Sequence, residues 1–260
     1  PRFQSPALEP GQTQDAVIGF SDELSLGDLG QLIVDDTPVL RIHSEDVLPT
    51  PMYLRGVTMD WFDGSVWKRN AQREDIDSLD SLDGLTRVAV LSEPGTSGVL
   101  FTLGHVSRVK VAHGNPWRDQ DGNWFVDGPD GSKRYEMWTD LQGVQTANQI
   151  DRRWTQWPAN ISPRVLALSG QLAADAVTRA GKMERAVDWL KANISYTRAP
   201  RDDALEDPIE TFLFEKKEGH CEYFATALAI LLRTQGVPTR VVNGFLGGEY
   251  NQRGGYWVIR

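Results

Sequence analysis

The sequence predicts an α+β protein with a β-sandwich-like first part, residues 1–150, packed on a helical second part, residues 151–260. Three observations carry this. All five Asp-Gly pairs lie before residue 150: Asp63-Gly64, Asp83-Gly84, Asp121-Gly122, Asp127-Gly128 and Asp130-Gly131. Asp-Gly readily takes the positive φ angles of tight hairpin turns. From about residue 160 the spacing of apolar residues changes from that of strands to that of helices. The charge divides at the same place. Residues 1–150 hold 12 Lys and Arg against 23 Asp and Glu, a net of −11, whereas residues 151–260 hold 15 against 13, a net of +2.

Taken in order, the strands expected in the first part are Val39–His43, Tyr53–Phe62, Thr86–Leu91, Gly98–Leu103, Val106–Ala112 and Asn123–Val126. Each is a short run of β-branched and aromatic residues bounded by turn formers. The acid-rich stretch Arg73–Asp83 reads as a solvated loop. In the second part, Ser162-Pro163 is a cap and first-turn pair, followed by Val165, Leu168, Leu172 and Ala176 on one face, with Gly181 as the expected stop. Met183, Ala186, Val187, Leu190 and Ile194 form the next helical stripe. Asp207-Pro208 opens a short helix to about Glu215. A third long helix starts near Gly219–Cys221 and reaches Thr234 or Gln235, with Gly236 and Pro238 ending it. It is apolar on almost every side, so it belongs in the middle of a domain. The strand Thr239–Phe245 and the glycine-rich turn Gly247–Gly255 follow, and Tyr256–Arg260 begins the returning strand of a hairpin. Because that strand is interrupted and the chain opens on Pro1, further sequence is expected beyond both ends.

Composition excludes several functions. One cysteine in 260 residues rules out an internal disulfide and a cysteine-cluster zinc site. A net charge of −9 argues against a nucleic-acid partner. The longest apolar stretch, Phe224–Leu232, falls far short of the ~20 residues of a membrane span. Among the nine tryptophans, Trp61, Trp67, Trp117, Trp124 and Trp138 fit sandwich-core packing better than a ligand groove, and Trp157 fits the junction between the parts. Asp202, Asp203, Glu206 and Asp207 lack the alternation and internal glycine of a calcium loop, so no metal or other cofactor is implied.

The segment that carries chemistry is Glu218-Gly219-His220-Cys221-Glu222-Tyr223-Phe224-Ala225. It sets the only thiol at the first turn of a buried helix. Unpaired N–H groups and the helix dipole there favour an anion, so Cys221 is expected to have a depressed pKa and to act as a nucleophile. The same N–H groups suit an oxyanion formed from a carbonyl substrate, and Gly219 would let that substrate approach the backbone. Against this stands the ordinary fate of a lone cysteine, a small buried hydrophobe. His220 and Cys221 do not make a dyad, because adjacent helical side chains diverge by ~100°, and the same divergence defeats a metal reading of His220, Cys221 and Glu222. Gly219, His220, Glu222, Tyr196, Tyr256 and Trp257 are the expected cleft-lining residues.

The run Gly219 to Ala225, with Leu231-Leu232-Arg233-Thr234-Gln235-Gly236-Val237-Pro238-Thr239-Arg240-Val241-Val242-Asn243-Gly244-Phe245, resembles the core of the bacterial transglutaminase-like superfamily. Upstream, Gly19–Asp22, Gly27–Gly30, Leu54–Thr58 and Phe62–Trp67 resemble the TgpA-type membrane transglutaminases of Gram-negative bacteria, as do Pro208–Phe214 and Gly247–Asn251. The resemblance implies a papain-like catalytic domain at 151–260, a periplasmic location, and a membrane anchor in segments outside this chain. It also implies protein-glutamine γ-glutamyl transfer through a Cys221 thioester, from a glutamine side chain to an amine of a protein or peptide substrate. The family's triad histidine and aspartate would fall after Arg260, and no histidine follows His220 here. These residues alone are therefore expected to be inactive. Two other readings stand beside transfer: a cysteine peptidase or amidase using the same thioester, and a non-catalytic periplasmic scaffold or binding module.

Overall fold

The computed structural model describes residues 23–26, 37–75, 81–129, 131–143, 151–174, 176–197 and 207–260. The expectations for residues 19–22, 27–30 and 76–80, for Asp130, and for Asp202, Asp203 and Glu206 lie outside them.

A six-stranded antiparallel sheet runs in the order His105–Val111, Lys133–Asp140, Thr86–Ser92, Leu40–His43, Tyr256–Ile259 and Glu249–Asn251. A second sheet has the order Val241–Leu246, Tyr53–Met59, Thr102–Leu103. Two further sheets complete the β-rich part. One joins Arg73–Glu74, Pro116–Asp119, Trp124–Val126 and Val99–Leu100; the other joins Glu23–Ser25, Val66–Lys68 and Trp61–Phe62. Four of the five Asp-Gly glycines, Gly64, Gly84, Gly122 and Gly128, take the expected positive φ. At Asp63-Gly64, the Asp63 carboxylate accepts from the N–H groups of Ser65 and Val66 and Gly64 takes φ +120°, closing a hairpin.

The helices are α1 (Pro163–Ala173), α2 (Arg179–Asn193), α3 (Pro208–Glu210) and α4 (Cys221–Arg233). Ser162 Oγ caps α1 by accepting from Arg164 N, and Asp207 caps α3 through Glu210 N. The chain continues from α3 through one π-helical stretch, Thr211–Lys216, which Lys217 ends at φ +51°. Gly181 is not a stop. Thr178 Oγ1 accepts from Gly181 N at 3.0 Å, so Thr178 caps α2 and Gly181 lies inside its first turn. Met183, expected in the apolar stripe, is exposed.

Tyr256–Ile259 is not the return of Val241–Leu246. Gly247 and Gly248, at φ +101° and +141°, swing the chain from one sheet to the other. Val241–Leu246 therefore pairs with Tyr53–Met59, whereas Tyr256–Ile259 pairs with Leu40–His43 and with its own hairpin partner Glu249–Asn251. The six-stranded sheet and the sheet of Val241–Leu246 thus each join an early strand to a late one. Buried residues from Leu24 to Ile259 form one continuous core.

Helix α4 is fixed within that core by the β-rich part. Trp67 Nε1 donates to Thr226 Oγ1 at 2.8 Å, both residues being fully buried. At the other end Arg233, 1% exposed, donates to the carbonyls of Thr239, Gln156 and Asp60, and its guanidinium lies over the Trp67 ring at 4.8 Å. The Gln156 side chain bonds both backbone groups of Phe62, like a strand partner. Trp154 underlies the Arg240 guanidinium at 4.4 Å and accepts from Thr239 N through its carbonyl. Trp157, the expected junction residue, is instead 38% exposed. Trp67 and Trp124 are core residues, as expected.

Candidate active site

The approach to α4 is a short parallel pairing of Ser195–Tyr196 with Glu218–Gly219. Ser195 N donates to Lys217 O and Thr197 N to Gly219 O, which ties the end of α2 to the start of α4. An aromatic cluster braces this turn. Phe212 stacks on Tyr223 at 5.6 Å and meets Phe224 edge-on at 5.2 Å, and Tyr196 lies 6.2 Å from Phe224. Gly219 is required by this packing. A Cβ there would stand 2.9 Å from Phe212 Cε2 and 3.3 Å from Tyr223 Cβ, so the glycine lets the backbone pass against a buried ring.

Cys221 opens α4 as an exposed free thiol. His220 is the residue before the helix, in an extended conformation and without a side-chain capping bond. Instead its ring is buried, with Nε2 3.1 Å from Oε1 of the buried Glu222 and its edge toward Tyr223 at 5.0 Å. Cys221 is thus exposed between two buried neighbours; His220 lies outside the helix in extended backbone, which lets its ring reach Glu222, a pairing that two residues apart within a helix could not make.

The electrostatics reverse one expectation. Burial pushes the Cys221 thiol above its ordinary pKa, and the Glu222 carboxylate adds to the rise. Hydrogen bonds from the N–H groups of Glu222 and Cys221 pull the other way and are outweighed. A helix N-terminus favours a thiolate only where desolvation and like charge do not exceed it. The Cys221 proton therefore needs a base to take it.

Of the expected cleft residues, Gly219, His220, Glu222 and Tyr196 come together around Cys221, the first three buried and Tyr196 45% exposed. Tyr256 and Trp257 lie on the hairpin added to Leu40–His43; Trp257 packs on Tyr250 at 5.3 Å and the Tyr256 hydroxyl meets Asn251. Neither belongs to the elements that present Cys221. Sequence reasoning missed Arg233, Thr226 and Trp67 as the residues that fix the cysteine's helix. A charged residue in the last turn of an apolar helix was the available signal for Arg233. Among the described residues no group of three or more His, Cys, Asp or Glu is placed to hold a metal ion.

Comparison with known proteins points the same way. The TgpA N-terminal domain family matches residues 1–144, and the transglutaminase-like superfamily matches residues 167–259. A protein-glutamine gamma-glutamyltransferase of Pseudomonas aeruginosa is 27% identical over 253 residues, which are 94% of this chain and 37% of that protein. The chain thus spans little more than a third of that relative's length. The protein YebA of Bacillus subtilis is 36% identical over 107 residues, 39% of this chain and 14% of YebA. The crystal structure of the periplasmic domain of TgpA from P. aeruginosa superposes with a TM-score of 0.80 at 26% identity, covering 94% of this chain and 86% of that one.

Proposed function

The chain belongs to the TgpA N-terminal domain family and continues into a transglutaminase-like core; from this we propose that it is the catalytic region of a periplasmic protein-glutamine γ-glutamyltransferase. The observation that carries the proposal is Cys221, an exposed thiol at the N-terminus of a largely buried helix held by the β-rich part.

In this reading a base takes the Cys221 proton and the sulfur attacks the γ-carboxamide carbon of a glutamine. The N–H groups of Cys221 and Glu222, which already bond the sulfur, lie next to the oxygen that gains charge. The tetrahedral species collapses, the C–N bond breaks, and the nitrogen leaves with a proton as ammonia. A thioester remains. A lysine amine then attacks that carbonyl, the C–S bond breaks, the thiol is restored, and an isopeptide bond links the two side chains. Hydrolysis differs only in that water takes the amine's place. Among the described residues no helix is long and apolar enough to cross a membrane; the anchor and the periplasmic location follow from the resemblance to TgpA.

The test is incorporation of a labelled primary amine into a glutamine peptide by the intact protein, with Cys221→Ala as control. Cys221-dependent incorporation supports transfer. Release of glutamate peptide alone, with amine in excess, would assign the site to hydrolysis. Absence of both products would leave a scaffold.

A further inference from the structure

Cys221 stands between two ionisable side chains that are withdrawn from water. His220 is 4% exposed and Glu222 2%, and their 3.1 Å contact passes behind the cysteine whose own side chain is open to solvent. The other ionisable groups on the elements around this turn are Glu218 on the incoming strand, Tyr196 on the strand paired with it, Tyr223 in the same helical turn, and Glu215, Lys216 and Lys217 at the end of the π-helical stretch that carries Phe212. Glu218 and Tyr196 are exposed, so Glu222 is the carboxylate held in a low-dielectric place beside the sulfur. A buried charged contact is a costly way to brace a turn. A neutral pair of the same shape does it as well without desolvating a carboxylate, and Gly219, Phe212 and Tyr223 already brace this one. What a neutral pair would not supply is a charge one residue from the nucleophile.

We propose that His220 and Glu222 act together as a positioning pair for Cys221: their contact turns the cysteine outward, and the charge state of that contact sets how readily the sulfur gives up its proton. The proposal rests on Cys221 being the nucleophile. With the imidazole neutral, the Glu222 charge opposes the thiolate. With the imidazole protonated, the pair is neutral and the opposition falls away. The pair thus guards the thiol against reaction until a positive charge is brought close.

The test follows alkylation of Cys221 by iodoacetamide against pH in the intact protein, read by peptide mass mapping, with thermal unfolding as the check on folding. Glu222→Gln keeps the shape and removes the charge. Its alkylation midpoint is expected to fall by half a pH unit or more, about a threefold gain in rate below the wild-type midpoint. Glu222→Asp, which keeps the charge, should restore the wild-type profile. His220→Phe, which keeps a ring but removes the nitrogen 3.1 Å from the carboxylate, leaves the Glu222 charge without a polar partner on that side and should move the midpoint up, and it is the variant to read if Glu222→Gln does not fold. Midpoints unchanged in folded variants would overturn the proposal, as would loss of folding in both, which assigns the pair to structure alone. Alkylation needs no turnover, so a failed amine-incorporation assay and a failed alkylation result remain distinguishable.

Discussion

Replacing Arg233 by methionine tests the idea that the nucleophile's helix is held by the β-rich part of the chain. Burial brings the Arg233 guanidinium well below its ordinary value, to about 10. That difference is about 3 kcal/mol spent keeping the side chain charged, and methionine would recover it. Against this, the carbonyls of Thr239, Gln156 and Asp60 lose their donor. At about 1–3 kcal/mol for each stranded buried group, the loss centres on ~6 kcal/mol. The net expectation is destabilisation by about 3 kcal/mol, which for a chain of this size lowers Tm by ~6–12 °C. Lysine keeps the charge but not the planar fork that serves three acceptors, so Arg233→Lys should lose at least as much. Thermal unfolding followed by circular dichroism measures both. A methionine variant melting within about 2 °C of wild type, or a lysine variant indistinguishable from it, would refute the accounting.

Three further outcomes are expected. Gly219→Ala should lower Tm and slow Cys221 alkylation together, because the new Cβ would meet Phe212 at 2.9 Å and push the turn that delivers the cysteine; overpacking of this kind costs about 1–3 kcal/mol, and a variant unchanged in both measurements would contradict the packing role. Thr226→Val strands the Trp67 indole N–H in the core, and chemical denaturation should report a loss of about 1–3 kcal/mol. Asp121 has its pKa raised, first by burial, with Asp60 and Asp119 adding to the rise and Arg240 and Arg153 opposing it. The folded chain therefore holds this proton more tightly than the unfolded one, and stability from this group falls as pH rises through the window just above 3.8. Asp121→Asn should remove that part of the slope, and a stability–pH curve of unchanged slope would count against it.

How much of this was legible in the sequence depends on distance along the chain. Helix α4 was readable because its apolar residues, Gly236 and Pro238 are all local signals, and observed Cys221–Arg233 falls within the expected limits. Most strands from Leu40 to Val126 were readable for the same reason, but Val66–Lys68, Pro116–Asp119 and Arg73–Glu74 were not expected, the last lying in a stretch read as a solvated loop. Lys133–Asp140 was missed although Tyr135, Met137 and Thr139 alternate inward, because Arg134, Glu136 and Asp140 make the segment look solvated. Pairing was the harder matter. Nothing local in Val241–Leu246 says that its neighbour is Tyr53–Met59 rather than the next strand. The thiol's pKa was read with the wrong sign because the helix dipole is visible in sequence, whereas the desolvation felt at the Cys221 sulfur and the burial of the Glu222 carboxylate are tertiary facts. Gly219 was singled out as room for a substrate; the Phe212 ring that occupies the space beside it comes from a separate helix.

The way the two ends of the chain share their sheets sets a constraint on when the protein becomes a protein. Tyr53 pairs with Leu246 and Leu40 with Ile259, contacts about two hundred residues apart. Such pairings bear a large loop-closure cost before they return anything, so acquisition of the native state should be slow. On a ribosome the early strands emerge long before their partners exist, with open edges that invite pairing with the wrong chain. The early strands are therefore open to mispairing until the late ones are made, and each part serves as a pairing template for the other.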